Sequence, residues 1–520
     1  MAVGPTLGTG LFIGAGQALA VGGPASLLIS YLFLSLLTYF MATTVAEVAV
    51  YAPSRHGSMV ANGFRYLPSS LSLATATLRW YTLALMVPYE TTTAMVNLGL
   101  WEPGPTVAIR LLIITAIVVG FNFLPERTFR STEQLFTRIK ISTLVFLLVL
   151  SLSIGMGGAT GHDKWGFQYW IEPGAMNEYL ARGSIGKFFG LVQCILHSSI
   201  AFTFAPEIIV HRAETPDLSD GMEIGGPISP SIGSELPRRV ICDVATTAFP
   251  YILSSLAMGV MAPYNEPLLN NNGAGGGVSP FVIGINTAKI RILPVTATIA
   301  VFISSVASGR SLLHLSSSTL VALSELGHAP KMLSVRNQWG VPYMAIITTS
   351  MFTLLAFMSV AVSSSTVLTY FLVFVNSCGY LSWMVSCVTY RRFRHHLHRR
   401  GQSDTFRFAV QPMGTYVGFM LSAIMLLANG LVGGAPGPRP GPRASRVVAA
   451  YLSIPVFAAI YFLHQFQTMF PYRSNAKNAP IDRDTPKGLT GACSAPSEQP
   501  ATTPDTIELE QIWTMAVEEA

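Results

Sequence analysis

The sequence predicts an all-α polytopic membrane protein of about twelve transmembrane helices. Half of its 520 residues are apolar and only 11% are charged, where soluble domains carry roughly 25% charge. Its mean hydropathy is positive, at +0.47. Apolar runs of roughly 20 residues, the length that crosses a bilayer core, recur at 5–20, 25–48, 70–99, 106–123, 139–156, 187–210, 238–262, 294–323, 343–361, 366–390, 412–432 and 447–469. Residues 1–470 thus form one transmembrane domain. The last 50 residues, 471–520, are polar and rich in Pro, Thr and Ser, the composition of a disordered cytoplasmic tail and a place for cytoplasmic regulators.

The first run, Gly4-Pro5-Thr6-Leu7-Gly8-Thr9-Gly10-Leu11-Phe12, is apolar yet broken by three glycines and a proline. Backbone groups left unpaired by such a break are tolerated in lipid only where they line a cavity or bind something, which makes the segment a candidate substrate site. Only seven residues precede Gly8, roughly 10 Å of helix and too little for half a bilayer, so helix 1 reads as truncated at its N-terminus. The second run ends near Glu47, expected at a solvated helix end. In the third, Arg79 and Glu90 lie eleven residues apart within the span. Ionisable groups there are costly and face protein or water. Arg79 snorkelling beside a structural Glu90 is the alternative to a functional pair.

Lys140 stands where the fifth run begins, as a topology anchor or a buried functional group. The sixth run contains Ala201-Phe202-Thr203-Phe204-Ala205-Pro206-Glu207, a second place where a breaker adjoins an acid. Pro206 removes one donor and frees a carbonyl a turn earlier. Two broken helices separated by four others match a five-plus-five inverted repeat, with two further C-terminal helices. The connection from His211 to Pro237 is rich in Gly, Ser, Pro and acids and is expected to be flexible.

Lys and Arg in the short connections set the orientation. With both termini cytoplasmic, the inner side holds Arg55, Arg65, Arg127, Arg130, Arg138, Lys140, Arg212, Arg238, Arg239, Lys331, Arg336 and the basic run Arg391 to Arg407, against an external exception at Arg439, Arg443 and Arg446. The net charge of +6 is therefore a topology signal, and no nucleic-acid partner follows from it. The five cysteines show no Cys-x-x-Cys spacing, which argues against a disulfide framework or a metal site. The first apolar segment lacks a basic leader, so no cleavable signal is expected. Neither a nucleophile–base constellation nor a phosphate loop appears, so no enzyme is expected.

Five ordered stretches resemble the fungal amino acid permeases of the amino acid, polyamine and organocation superfamily. They are Gly8-Thr9-Gly10-Leu11-Phe12 with Ala20-Val21-Gly22-Gly23-Pro24; Ala201-Phe202-Thr203-Phe204; Pro263-Tyr264-Asn265-Glu266-Pro267-Leu268 with Ser279-Pro280-Phe281; Gly327-His328-Ala329-Pro330-Lys331 with Trp339-Gly340-Val341-Pro342; and Tyr390-Arg391-Arg392-Phe393. The resemblance implies proton-driven symport of amino acids across the plasma membrane by alternating access, the proton being the coupling ion and no other cofactor being needed. On that basis the Thr9 and Gly10 amides and the Thr9 hydroxyl, beside Gly8, take the substrate carboxylate. The carbonyls of Thr6, Ala201 and Phe204, near Glu207, take the ammonium. Lys140, Glu90 and Glu207 match the family's proton-coupling positions.

The chain departs from the family pattern in four places. The inner half of helix 1 is missing. Helix 6 is one residue short at its break. Helix 8 reads Ala307-Ser308-Gly309-Arg310-Ser311, with Arg310 in place of an Asn and Ser318 in place of an Arg. An insert precedes Leu236-Pro237-Arg238-Arg239, and the connector Gly433 to Pro442 is Pro-rich. Arg310 at mid-helix is thus a selectivity candidate, pairing with Glu90 or Glu207 or disfavouring cationic substrates. A non-transporting amino acid receptor of the same fold, or an inactive truncated paralogue, are the rival expectations.

Overall fold

The computed structural model describes residues 10–51, 58–99, 107–157, 166–214, 231–270, 279–288, 293–399, 401, 406–434 and 443–469. The chain divides into units Met1–Phe470 and Pro471–Ala520; the described residues all belong to the first, and the expected tail lies outside them, as does most of the 211–237 connection. A π-turn, Gly10–Gly14, leads into α1 (Ala15–Tyr51). Then follow α2 (Ser58–Tyr66), α3 (Ser69–Gly99), α4 (Val107–Asn122), α5 (Glu126–Gly155), α6 (Gly183–Ser198), α7 (Ala205–Glu214) and α8 (Ser231–Met261). The second half contains α9 (Pro280–Thr287), α10 (Leu293–Glu325), α11 (Tyr343–Ser350), which runs on through helical turns to Ala361, α12 (Ser364–Arg399), α13 (Met413–Gly434), α14 (Arg443–Tyr451) and α15 (Ser453–Met469).

Among the described residues there is no strand. Eight helices are long and apolar enough to cross a membrane, or nine if the bent pair Ala444–Tyr451 and Ser453–Thr468 is one span. The expected first and second spans run into one another through α1, and the gap between them survives as a break at Gly23, where φ is 81°. Only glycine adopts that conformation cheaply, and an added Cβ would lie 2.9 Å from the Ala175 carbonyl oxygen. The freed backbone groups are paired there. Ala25 N–H donates to Ala175 O at 2.9 Å, and Asn177 donates from its backbone to Gly22 O at 3.0 Å and from its side chain to Ala20 O at 2.8 Å. A segment before α6 thus closes the break, as burial away from water requires.

The core is built on α1 packed along α8 and α6, and on α3 packed along α10. Tyr31, Phe202 and Tyr251 form an aromatic cluster between the first group, with Phe202 and Tyr251 ring centroids 4.8 Å apart. Outward faces of α4, α5 and α13 keep large apolar side chains exposed, among them Leu112, Leu152 and Leu431. Such a surface suits lipid, where every backbone group must be satisfied inside the protein.

Glu47 departs from expectation. It is fully buried and is an ion pair with Arg394 of α12. Tyr390 Oη donates to Glu47 Oε1 at 2.7 Å and the Phe408 N–H donates to Oε2 at 3.1 Å. The sequence places Glu47 near a helix end; packing of α12 and the 406–411 segment over that end removes it from solvent.

A candidate substrate site between the first and sixth helices

The sixth span is interrupted. After α6 come a 3₁₀ turn, Ser199–Ala201, and a non-helical turn before α7 starts at Ala205. Pro206 occupies the first turn of α7, where its missing N–H costs nothing and its fixed φ favours helix initiation. It begins a second half-helix rather than kinking a continuous one. The freed carbonyls are partly claimed. Ser199 O accepts the Thr203 hydroxyl at 2.9 Å, Thr203 O accepts Trp383 Nε1 at 3.0 Å, and Phe204 O accepts the Ile208 N–H at 3.0 Å. Asn376 Nδ2 holds Leu196 O at 2.7 Å, and Tyr380 Oη lies 2.6 Å from Ser199 Oγ. Side chains of α12 therefore brace the break from one side.

The π-turn of the first helix approaches it from the other. A Cβ on Gly10 would stand 3.0 Å from both Cα and Cβ of Ala201. Between the two lies a cavity of about 30 Å³ lined by Gly10, Ala201, Phe204, Tyr89 and Glu90, with apolar walls that include Met86 and Leu312. That space is of the size of a water site.

Four expected site residues thus converge: Gly10, Ala201, Phe204 and Glu90. Thr6, Gly8 and Thr9 lie outside the described residues. Lys140 is 3% exposed and donates from Nζ to Ser308 Oγ of α10 at 2.8 Å, next to Gly309, whose added Cβ would touch Glu90 Cβ at 3.4 Å. Lys140 and Glu90 therefore meet the same turn of α10.

Glu207 is buried beside the cavity rather than among its lining residues. It forms an ion pair with Arg79 of α3, and Ser382 Oγ donates to its Oε1 at 3.1 Å. Arg79 accordingly does not snorkel. This partner was not legible in the sequence, since nothing local relates positions 79 and 207.

Arg310 is not brought to the cavity and pairs with neither Glu90 nor Glu207. Its guanidinium forms an ion pair with Glu133, donates to Thr132 Oγ1 at 2.6 Å and lies 4.2 Å from the centre of the Phe129 ring. The helical register of α10 turns residue 310 away from the face that carries Leu312 and toward α5. Among the described residues no group of three or more His, Cys, Asp or Glu side chains is placed to hold a metal.

The fold defines a class before any family is considered. A manganese transporter from Eremococcus coleocola superposes with a TM-score of 0.55 at 14% identity, covering 90% of this chain and 93% of that one. The two proteins therefore share a fold. The profile of the amino acid permease family matches residues 1–477, and the chain belongs to that family of membrane transporters. A proline-specific permease of Emericella nidulans is 31% identical over 92% of this chain and 86% of its own length. A probable proline-specific permease of Schizosaccharomyces pombe is 30% identical over 98% of this chain and 89% of its own.

Proposed function

We propose that the protein imports amino acids across the plasma membrane in symport with protons, by alternating access of a twelve-span, five-plus-five inverted repeat whose two termini face the cytoplasm. The observation that carries this reading is the meeting of Gly10 with Ala201 and Phe204, from the first and sixth helices, around one cavity that also contains Glu90. Interrupted helices offer unpaired amides to a carboxylate and unpaired carbonyls to an ammonium. Thr9 and Gly10 with Gly8 take the first role; Thr6 and Ala201 take the second, with Phe204 O, which already accepts the Ile208 N–H, offering its second lone pair.

The proton is the only coupling ion this reading needs. Lys140 of α5 and Glu90 of α3, which both meet the Ser308–Gly309 turn of α10, are the groups proposed to carry it. The remaining walls, Met86, Ile200, Phe204, Ala205, Ile208 and Leu312, are apolar, which suits a small uncharged side chain. Because the relatives above are named proline-specific permeases, proline is the first substrate to test.

The test is uptake of labelled proline by cells stripped of their own permeases, with competition by acidic, neutral and basic amino acids and with a proton uncoupler. Saturable uptake abolished by the uncoupler supports the reading. Uptake insensitive to the uncoupler excludes symport, and binding without uptake points to a receptor.

A further inference from the structure

Arg79 and Met86 are seven residues apart on α3, about 10 Å along one helical face. Met86 lines the cavity. Arg79 therefore lies two turns below it, toward the end of the bundle where Glu47 meets Arg394. Glu207 approaches the same level from α7, between the cavity residues Ala205 and Ile208, and Ser382 reaches it from α12. Both members are buried, with side chains 7% and 3% exposed. A buried carboxylate needs either a countercharge or a proton.

We propose that Arg79 is a resident countercharge to Glu207, so that this carboxylate carries no proton in the transport cycle. The pair is a positioning device: with Ser382 it ties α3, α7 and α12 together below the cavity as a neutral unit, and coupling falls to Lys140 and Glu90. This rests on the reading of the chain as a proton-driven importer. Other charged side chains near α7 do not replace Arg79. Glu47 of α1 is bound to Arg394, Arg65 of α2 and Arg238 and Arg239 of α8 are exposed, Asp243 of α8 is half-buried, and His211 lies one turn further along α7 itself. Glu90 of α3 lines the cavity.

The test compares Arg79→Met, Glu207→Gln and the double variant with wild type, reading proline uptake against pH, accumulation above equilibrium, and melting temperature of the purified protein against pH. Arg79→Met leaves a buried carboxylate without its countercharge, and its uptake at neutral pH is expected to fall about tenfold or more. Acidification restores uptake and melting temperature in that variant, because a proton then does what Arg79 does. Glu207→Gln, which strands the guanidinium, is impaired with no such recovery. The double variant regains uptake to within about threefold of wild type, still concentrates proline, and keeps the wild-type pH profile.

A stable double variant that equilibrates proline without concentrating it would show that Glu207 carries the proton and would overturn the proposal. So would an Arg79→Met variant whose uptake and melting temperature follow the wild-type pH profile. Melting temperature needs no transport, so the 79–207 relationship is decided even if the uptake reading fails, and wild-type uncoupler sensitivity decides that reading separately.

Discussion

Lys140 Nζ donates a 2.8 Å hydrogen bond to Ser308 Oγ, joining the start of the fifth span to the middle of α10. The ammonium is buried, and burial of a charge is tolerated only with polar partners. Its contact falls beside Gly309, against which Glu90 packs. Lys140→Gln is expected to keep substrate binding and lose accumulation above equilibrium, as measured by uptake with and without an imposed proton gradient. Unchanged accumulation would remove Lys140 from the coupling route.

Gly10 leaves no room for a side chain against Ala201. Contacts at 3.0 Å require the Ala201 turn to give way by a few tenths of an ångström for Ala, and by more for a larger side chain. Gly10→Ala is expected to weaken uptake and Gly10→Val to reduce it by about tenfold or more, a loss of roughly 1.4 kcal/mol or greater. Surface expression must be measured in parallel. Normal uptake by Gly10→Val would exclude Gly10 from the site.

Arg310 holds the α4–α5 side of α10 through Glu133, Thr132 and Phe129. Arg310 is buried and Glu133 partly so, and removing the guanidinium costs the carboxylate its countercharge and the Phe129 ring its cation. Arg310→Met should lower the melting temperature and leave the ranking of substrates in a competition panel unchanged. A gain in arginine and lysine uptake would show instead that Arg310 governs selectivity.

Glu47 and Arg394 give a fourth expectation. Glu47→Gln keeps one acceptor oxygen, replaces the other by a donor NH2 facing Tyr390 or Phe408, and loses the charge, so both Glu47→Gln and Arg394→Gln should reduce thermal stability. Their double variant should be less damaged than the sum, with a coupling of about 1–3 kcal/mol by double-mutant cycle. Simple additivity would mean that the pair contributes nothing of its own.

Span positions were readable because a helix in lipid satisfies its own backbone and advertises itself as an apolar run. The break around Ala201 was readable for the same reason in reverse, since proline interrupts that local pattern; the expected break before Gly10 lies outside the described residues. Glu47 was misread as solvated because its neighbours in sequence are the end of a helix and a polar turn. Its cover comes from α12 and from Phe408, 361 positions away. The mid-helix position of Arg310 makes it a selectivity candidate, but sequence position says nothing about which way a residue faces relative to a neighbouring helix, and it faces Glu133 of α5.

Composition and local backbone chemistry were enough to establish a polytopic helical protein and the interruption of its sixth span. Which of those residues touch was settled by helix rotation and packing. Glu207 is a proton-coupling candidate when read along the chain, yet it rests against Arg79, 128 positions earlier. A buried charge takes its character from whatever opposite charge lies within a few ångströms, and that distance exists only once α3, α7 and α12 have packed together.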